Sequence, residues 1–124
     1  MSGINSIVAD TNIVIYYLEG RPQISPYRFA NFYLSVISVI ELLGVKTIEG
    51  ISYRDRKTFI EHSIVLAFDD DIKELTIQIK QQTKIQTSDA IIAATALKYK
   101  MPLVTADKNF KKVEGLNLFL LELI

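Results

Sequence analysis

The chain has 124 residues, carries 14 Lys+Arg against 14 Asp+Glu, and contains no cysteine. That length builds one domain, over 1–124, and a hydrophobic share of 49% supplies its core. Intrinsic disorder, disulfides, thiolate zinc sites and a global positive field for nucleic acid are excluded. No apolar run is long enough to span a membrane, and no basic segment followed by an apolar stretch opens the chain, so the expected location is the cytoplasm.

In chain order, the apolar run 4–9 predicts a first strand, which ends abruptly in Asp10, Thr11 and Asn12. Beyond it Ile13, Tyr16 and Tyr17 recur at helical intervals, predicting a helix over 12–19 closed by Gly20 and Pro22. Residues 23–31 are broken by proline and form at most a stub of helix. The aromatic and β-branched run 32–36 predicts a second strand. Ser38 with Glu41 has the form of a capping box, opening a helix that buries Ile40, Leu43 and Val45 and runs to Glu49. Ser52 opens a further helix through His62, with Phe59 and Ile60 as its apolar contacts, and 64–67 reads as a third strand.

Asp69, Asp70 and Asp71 cap a helix with Ile72, Leu75 and Ile79 on one stripe. Thr87 and Ser88 are the expected cap of the next helix, 89–99. It is apolar nearly all round, as a helix buried against a sheet is. Pro102 breaks it, 103–105 is a fourth strand with Asp107 just beyond, and 118–121 is a last strand. Strands alternating with helices predict an α/β fold: a three-layer α/β/α sandwich around a mostly parallel sheet of four or five strands.

Parallel sheets place ligands at the carboxyl ends of their strands. Asp10 ends the first strand, Asp107 follows the fourth, Asp89 opens the buried helix leading into it, and Glu41 sits in the helix after the second. Each has an ordinary structural role open to it, since helix starts attract acids as caps and through the helix dipole. Together, four carboxylates in one pocket would repel one another, and a hard divalent cation, Mg²⁺ or Mn²⁺, is the usual physical resolution.

The strings Asp10-Thr11-Asn12, Ser38 to Gly44, Ser88 to Ala96 and Leu103 to Phe110 together resemble the PIN-domain signature, most of all in its VapC-type ribonuclease toxins. The resemblance covers essentially the whole chain. It implies that Asp10, Glu41, Asp89 and Asp107 bind Mg²⁺ or Mn²⁺ and are catalytic, with Thr11, Asn12 and Thr105 as supporting polar residues. Asn109 stands where some members carry a further acid, and a neutral amide there weakens a second metal site. The implied function is a metal-dependent endoribonuclease of a toxin–antitoxin pair, with RNA as substrate, an antitoxin as partner and a homodimer as its assembly. An antitoxin segment would lie near the first helices, at Ile13 and Tyr17.

Lys108, Lys111 and Lys112, beside Asp107, are placed to contact RNA phosphates. Arg54, Arg56 and Lys57 form a second basic run that reads better as a solvated helix face. Tyr16, Tyr17, Tyr27, Phe29, Phe32 and Tyr33 are stacking rings or core. The lone histidine, His62, has no partner motif and reads as a surface residue. Two alternatives remain: a nuclease-dead RNA-binding scaffold, and a receiver-like phosphoacceptor domain, which would need an acid pair after the first strand and a lysine at the last.

Overall fold

Residues 5–123 are described by a computed structural model of the chain. The expected start of the first strand at Ile4 lies outside them. Five strands form one sheet: β1 Ser6–Ala9, β2 Asn31–Ser35, β3 Ile64–Leu66, β4 Leu103–Thr105 and β5 Leu118–Leu120. Their order is β3-β2-β1-β4-β5, and every pairing is parallel. Five helices connect them: α1 Thr11–Leu18, α2 Val36–Leu43, α3 Tyr53–Glu61, α4 Asp70–Gln82 and α5 Thr87–Tyr99.

The expected three layers follow from strand alternation. Successive side chains point to opposite faces, so Ile7 and Ala9 of β1 join one core with Ile13, Val14, Phe32, Leu34, Leu42 and Val104. Val8 and Leu103 join the other, with Ile72 and Ile79 of α4 and the small residues of α5. Ala90, Ala93, Ala94 and Ala96 are all buried, which lets the α5 backbone approach the sheet closely. The rings of Tyr17, Phe32 and Phe59 pack in tilted and edge-on contacts, with centroids 5.2 to 5.3 Å apart, between α1, β2 and α3. The sheet order also corrects the receiver alternative: that fold places β1 between β2 and β3, whereas here β1 lies between β2 and β4.

Three local expectations change. α1 begins at Thr11 rather than Asn12, because Asp10 is its cap and accepts from Ile13 N at 2.9 Å. α2 begins one turn early. The chain passes from β2 into the helix with no loop, and Ser35, not Ser38, caps it by accepting from Ile37 N at 3.2 Å. The helix ends at Leu43 rather than Glu49. Its inward stripe is Ser38 and Leu42, while Ile40 and Val45 are 57% and 46% exposed. For α5, Thr87 is the first helical residue, Gln86 takes the cap position, and no side chain caps the helix.

Arg56 departs furthest from its reading as part of a solvated basic run. It is 1% exposed, and its guanidinium donates to the carbonyls of Leu42 at 2.7 Å, Val45 at 2.8 Å and Lys46 at 3.0 Å. These carbonyls end α2 and begin the loop after it. A planar cation with five donors satisfies orphan carbonyls at the negative end of a helix, and no neutral or single-headed side chain does this as fully. Arg56→Ala is therefore expected to cost about 3 kcal/mol in a urea-denaturation experiment, with Arg56→Lys recovering less than half. Wild-type stability in Arg56→Ala would contradict the capping role.

Candidate active site

The strand order creates the site. From β1 the chain turns to one face of the sheet through α1, while β4 is reached from the other face through α5. A crevice opens at such a switch point, beyond the carboxyl ends of the two strands. Asp10 N donates to Val104 O at 3.3 Å, which brings the end of β1 beside that of β4.

A cavity of about 340 Å³ lies there, and Asp10, Glu41, Asp89 and Asp107 all line it. Thr11 and Asn12 line it as well, so six of the expected residues share one concavity. Four separate segments deliver the acids: the cap of α1, the second turn of α2, the first turn of α5, and the turn after β4. Among the described residues none of the four acids is in an ion pair.

Asp10 is the most constrained. It is 6% exposed, and one oxygen accepts from Ile13 N while Oδ2 accepts from the Thr105 hydroxyl. Thr105 Oγ1 in turn accepts from Asp107 N at 3.0 Å. Thr105 does not line the cavity. It is fully buried and ties the two acids together from beneath. Thr11 Oγ1 donates to Glu41 Oε1 at 2.5 Å and lies 3.1 Å from Ser38 Oγ. The capping box expected from Ser38 and Glu41 is absent because α2 starts earlier. Ser38 is buried under Thr11, and Glu41, a turn further along, is held toward the cavity.

Burial pushes the Asp10 carboxyl up to about 6 from its ordinary 3.8, against the lowering effect of its two hydrogen bonds, and the charges of Asp89 and Asp107 add to the rise. Asp89 is also raised, by burial first and then by Asp107 and Glu41. The acids therefore feel one another across the cavity. Among the described residues, no three of them draw together into a preassembled ion cage. The donor set is nonetheless all hard oxygen. Mg²⁺ keeps several waters and needs only one or two direct carboxylates, so the residues present fit such an ion.

The remaining expected residues divide. Asn109 and Lys112 line an adjoining cavity of about 320 Å³ that shares Gln86, Asp89 and Asp107 with the first. Lys108 and Lys111 are exposed on the 3-10 turn Lys108–Lys112 and line neither. Ser88, Gln86 and Lys84 were missed. Ser88 reads as part of the helix cap, and Gln86 and Lys84 belong to no motif in the sequence. Ile13 is fully buried in the core, which removes it as a surface for a partner, and His62, whose Nδ1 faces the Thr58 carbonyl, lines neither cavity. Phe29 is 87% exposed, whereas Phe32 is core.

The raised Asp10 has a consequence for stability. Between pH 3.8 and about 6 the folded chain holds a proton that the unfolded chain has released. Stability from this group is complete below that window, falls as pH rises through it, and stays reduced at pH 7. Asn keeps the cap acceptor without the charge. Asp10→Asn is expected to be more stable than wild type at pH 7 by about 2–3 kcal/mol, with the gain shrinking toward pH 4. A gain that is absent at pH 7, or unchanged between pH 7 and pH 4 in denaturant titrations, would contradict this.

The profile of the PIN domain matches residues 7–116. Among solved structures, the chain is similar to a toxin–antitoxin complex from Klebsiella pneumoniae at 26% identity and a TM-score of 0.73, covering 89% of this chain and 94% of that one. VapBC-1 from nontypeable Haemophilus influenzae shares its fold at 24% identity and a TM-score of 0.77, covering 93% and 97%. VapBC2 from Rickettsia felis, bound to a DNA fragment from its promoter, does so at 22% and 0.77, covering 94% and 99%. No curated protein sequence matches. With the family profile spanning most of its length and the acids gathered at the sheet's switch point, the chain belongs to the PIN-domain family of nucleases.

Proposed function

We propose that the protein is an endoribonuclease that hydrolyses RNA phosphodiester bonds with Mg²⁺ or Mn²⁺, and that it is the toxin of a VapBC-type pair. The observation that carries the reading is the set of four carboxylates around one cavity, none of them in an ion pair among the described residues.

Asp10 and Asp89 would hold the ion, with Glu41 and Asp107 beside them in the same cavity. A divalent cation there would lower the pKa of water and stabilise charge on the phosphoryl oxygens. The chain's own residues supply orientation. Thr105 and Ile13 N fix both oxygens of Asp10, and Thr11 fixes Glu41. Thr105 also restrains the backbone at Asp107. No lysine, arginine or histidine lines the acid cavity, so it offers no side-chain base for attack by the RNA's own 2′-hydroxyl. Hydrolysis by water at phosphorus is the chemistry that these acids support, and it leaves a 5′-phosphate and a 3′-hydroxyl.

An antitoxin partner is supported by the similar structures from Klebsiella pneumoniae, Rickettsia felis and Haemophilus influenzae, which are toxin–antitoxin or VapBC assemblies. A homodimer belongs to the same reading. Among the described residues no helix is long and apolar enough to cross a membrane.

The test is RNA hydrolysis in Mg²⁺ or Mn²⁺. Asp89→Asn keeps a good first-turn residue, so it is expected to fold as wild type does while losing activity by about 100-fold or more. Chelation should abolish cleavage, and products should carry 5′-phosphates. Cleavage that survives both chelation and Asp89→Asn would remove this reading. A folded wild type with neither Mn²⁺ affinity nor cleavage would favour the RNA-binding scaffold.

A further inference from the structure

We infer that the protein grips its substrate on one flank of the cleavage point, through a cationic track built from Lys84 and Lys112 that holds the phosphates of a single strand. The inference deepens the nuclease reading and rests on it for the identity of the strand.

The acid cavity does not end at Asp89 and Asp107. Those two acids and Gln86 also line the adjoining cavity, whose other walls include Lys84, Lys112 and Asn109. Lys84 and Lys112 then reappear in a third concavity, of about 520 Å³, together with Lys80 and the amides of Gln81 and Gln82. Three concavities thus share walls in sequence and run from carboxylate to amide to ammonium.

The charge is one-sided. On the α1–α2 side the acid cavity is walled by Asn12 and Glu41, and no lysine or arginine lines it. On the α4–α5 side Lys84 and Lys112 stand in no ion pair among the described residues. Lys80 differs, since its ammonium donates to the Ile85 carbonyl at 2.8 Å and thereby fixes the loop that carries Lys84.

A nucleic-acid strand brings a phosphate to the acids and further phosphates on either side. Those flanking charges are repelled by the carboxylates and need a counter-charge close by. The only flank with such charge on the walls described is the one that Lys84 and Lys112 line. Gln86, at the junction, offers both a donor and an acceptor to a sugar or a base edge. A single strand can bend into a concavity whose floor is the 6%-exposed Asp10, whereas a duplex is a stiff rod with a persistence length of about 150 bp.

The test compares Lys84→Gln/Lys112→Gln with the charge-matched pair Arg54→Gln/Lys57→Gln, exposed on α3 and lining none of the three concavities. Binding of a labelled single-stranded RNA is followed by fluorescence anisotropy across a salt series, with Ca²⁺ as a hard cation. Two lost phosphate contacts are expected to lower the log–log salt slope by about 1.4 in the first pair, at about 0.7 per contact, and to leave it unchanged in the second. Equal losses in both pairs would show a diffuse field and overturn the track. So would an unchanged slope in the first pair, a wild type without RNA affinity, or a duplex bound more tightly than the single strand. Wild type that shows the expected slope difference yet hydrolyses no RNA would leave the track standing and remove the nuclease reading instead.

Discussion

The whole arrangement depends on a buried carboxylate. Asp10 sits where β1 ends and α1 begins, almost free of solvent, with β4 alongside and two other acids near enough to raise its pKa. Burial of an ionised carboxylate is costly, and the chain offers only partial compensation: one backbone N–H and one threonine hydroxyl. Among the described residues no lysine or arginine pairs with it. In an ordinary core that would be a defect. At the switch point of a parallel sheet, with further acids across a shared cavity, it is an environment that a hard cation relieves.

The fold around Asp10 serves this placement. All-parallel pairing puts the ends of β1 and β4 side by side, although the strands are far apart in sequence. α5 carries Asp89 into the same space because its alanines let it lie close over the sheet, and the lack of a side-chain cap leaves the positive end of its dipole near the acids. α2 starts directly from β2, which moves Glu41 a turn along and lets Thr11 hold it. Arg56, buried beneath the end of α2, fixes the loop that follows and so supports the helix that presents Glu41.

Much of this was legible in the sequence, and for identifiable reasons. The α/β class came from strand and helix periodicities, which are strong signals over runs such as residues 7–9 and 90–97. The acids at strand ends and at the first turn of α5 were legible because a parallel sheet gathers its carboxyl edge in one place. What failed was local register. Ser35 and Ser38 are both good caps, and no single-sequence rule decides between them when a strand feeds a helix without a loop. Arg56 looked like one charge among three on a polar helix. Its role depends on carbonyls from residues 42 to 46, a contact that no short-range pattern encodes. Lys84 and Gln86 were missed for a similar reason: they precede α5 in sequence, and only the return of β4 and the turn after it brings Lys112 and Asp107 beside them.

The central claim, that the gathered acids form one cation site, is tested most directly by calorimetric titration of Mn²⁺ near pH 6 in two buffers of different ionisation enthalpy. Wild type should bind and release about half a proton on doing so, because a carboxyl with a pKa of about 6 is half protonated at that pH in the free protein and ionised in the complex. Asp10→Asn should bind more weakly and release fewer protons. A wild type that binds no Mn²⁺, or an Asp10→Asn variant that binds it with the same affinity and the same proton release, would contradict the account.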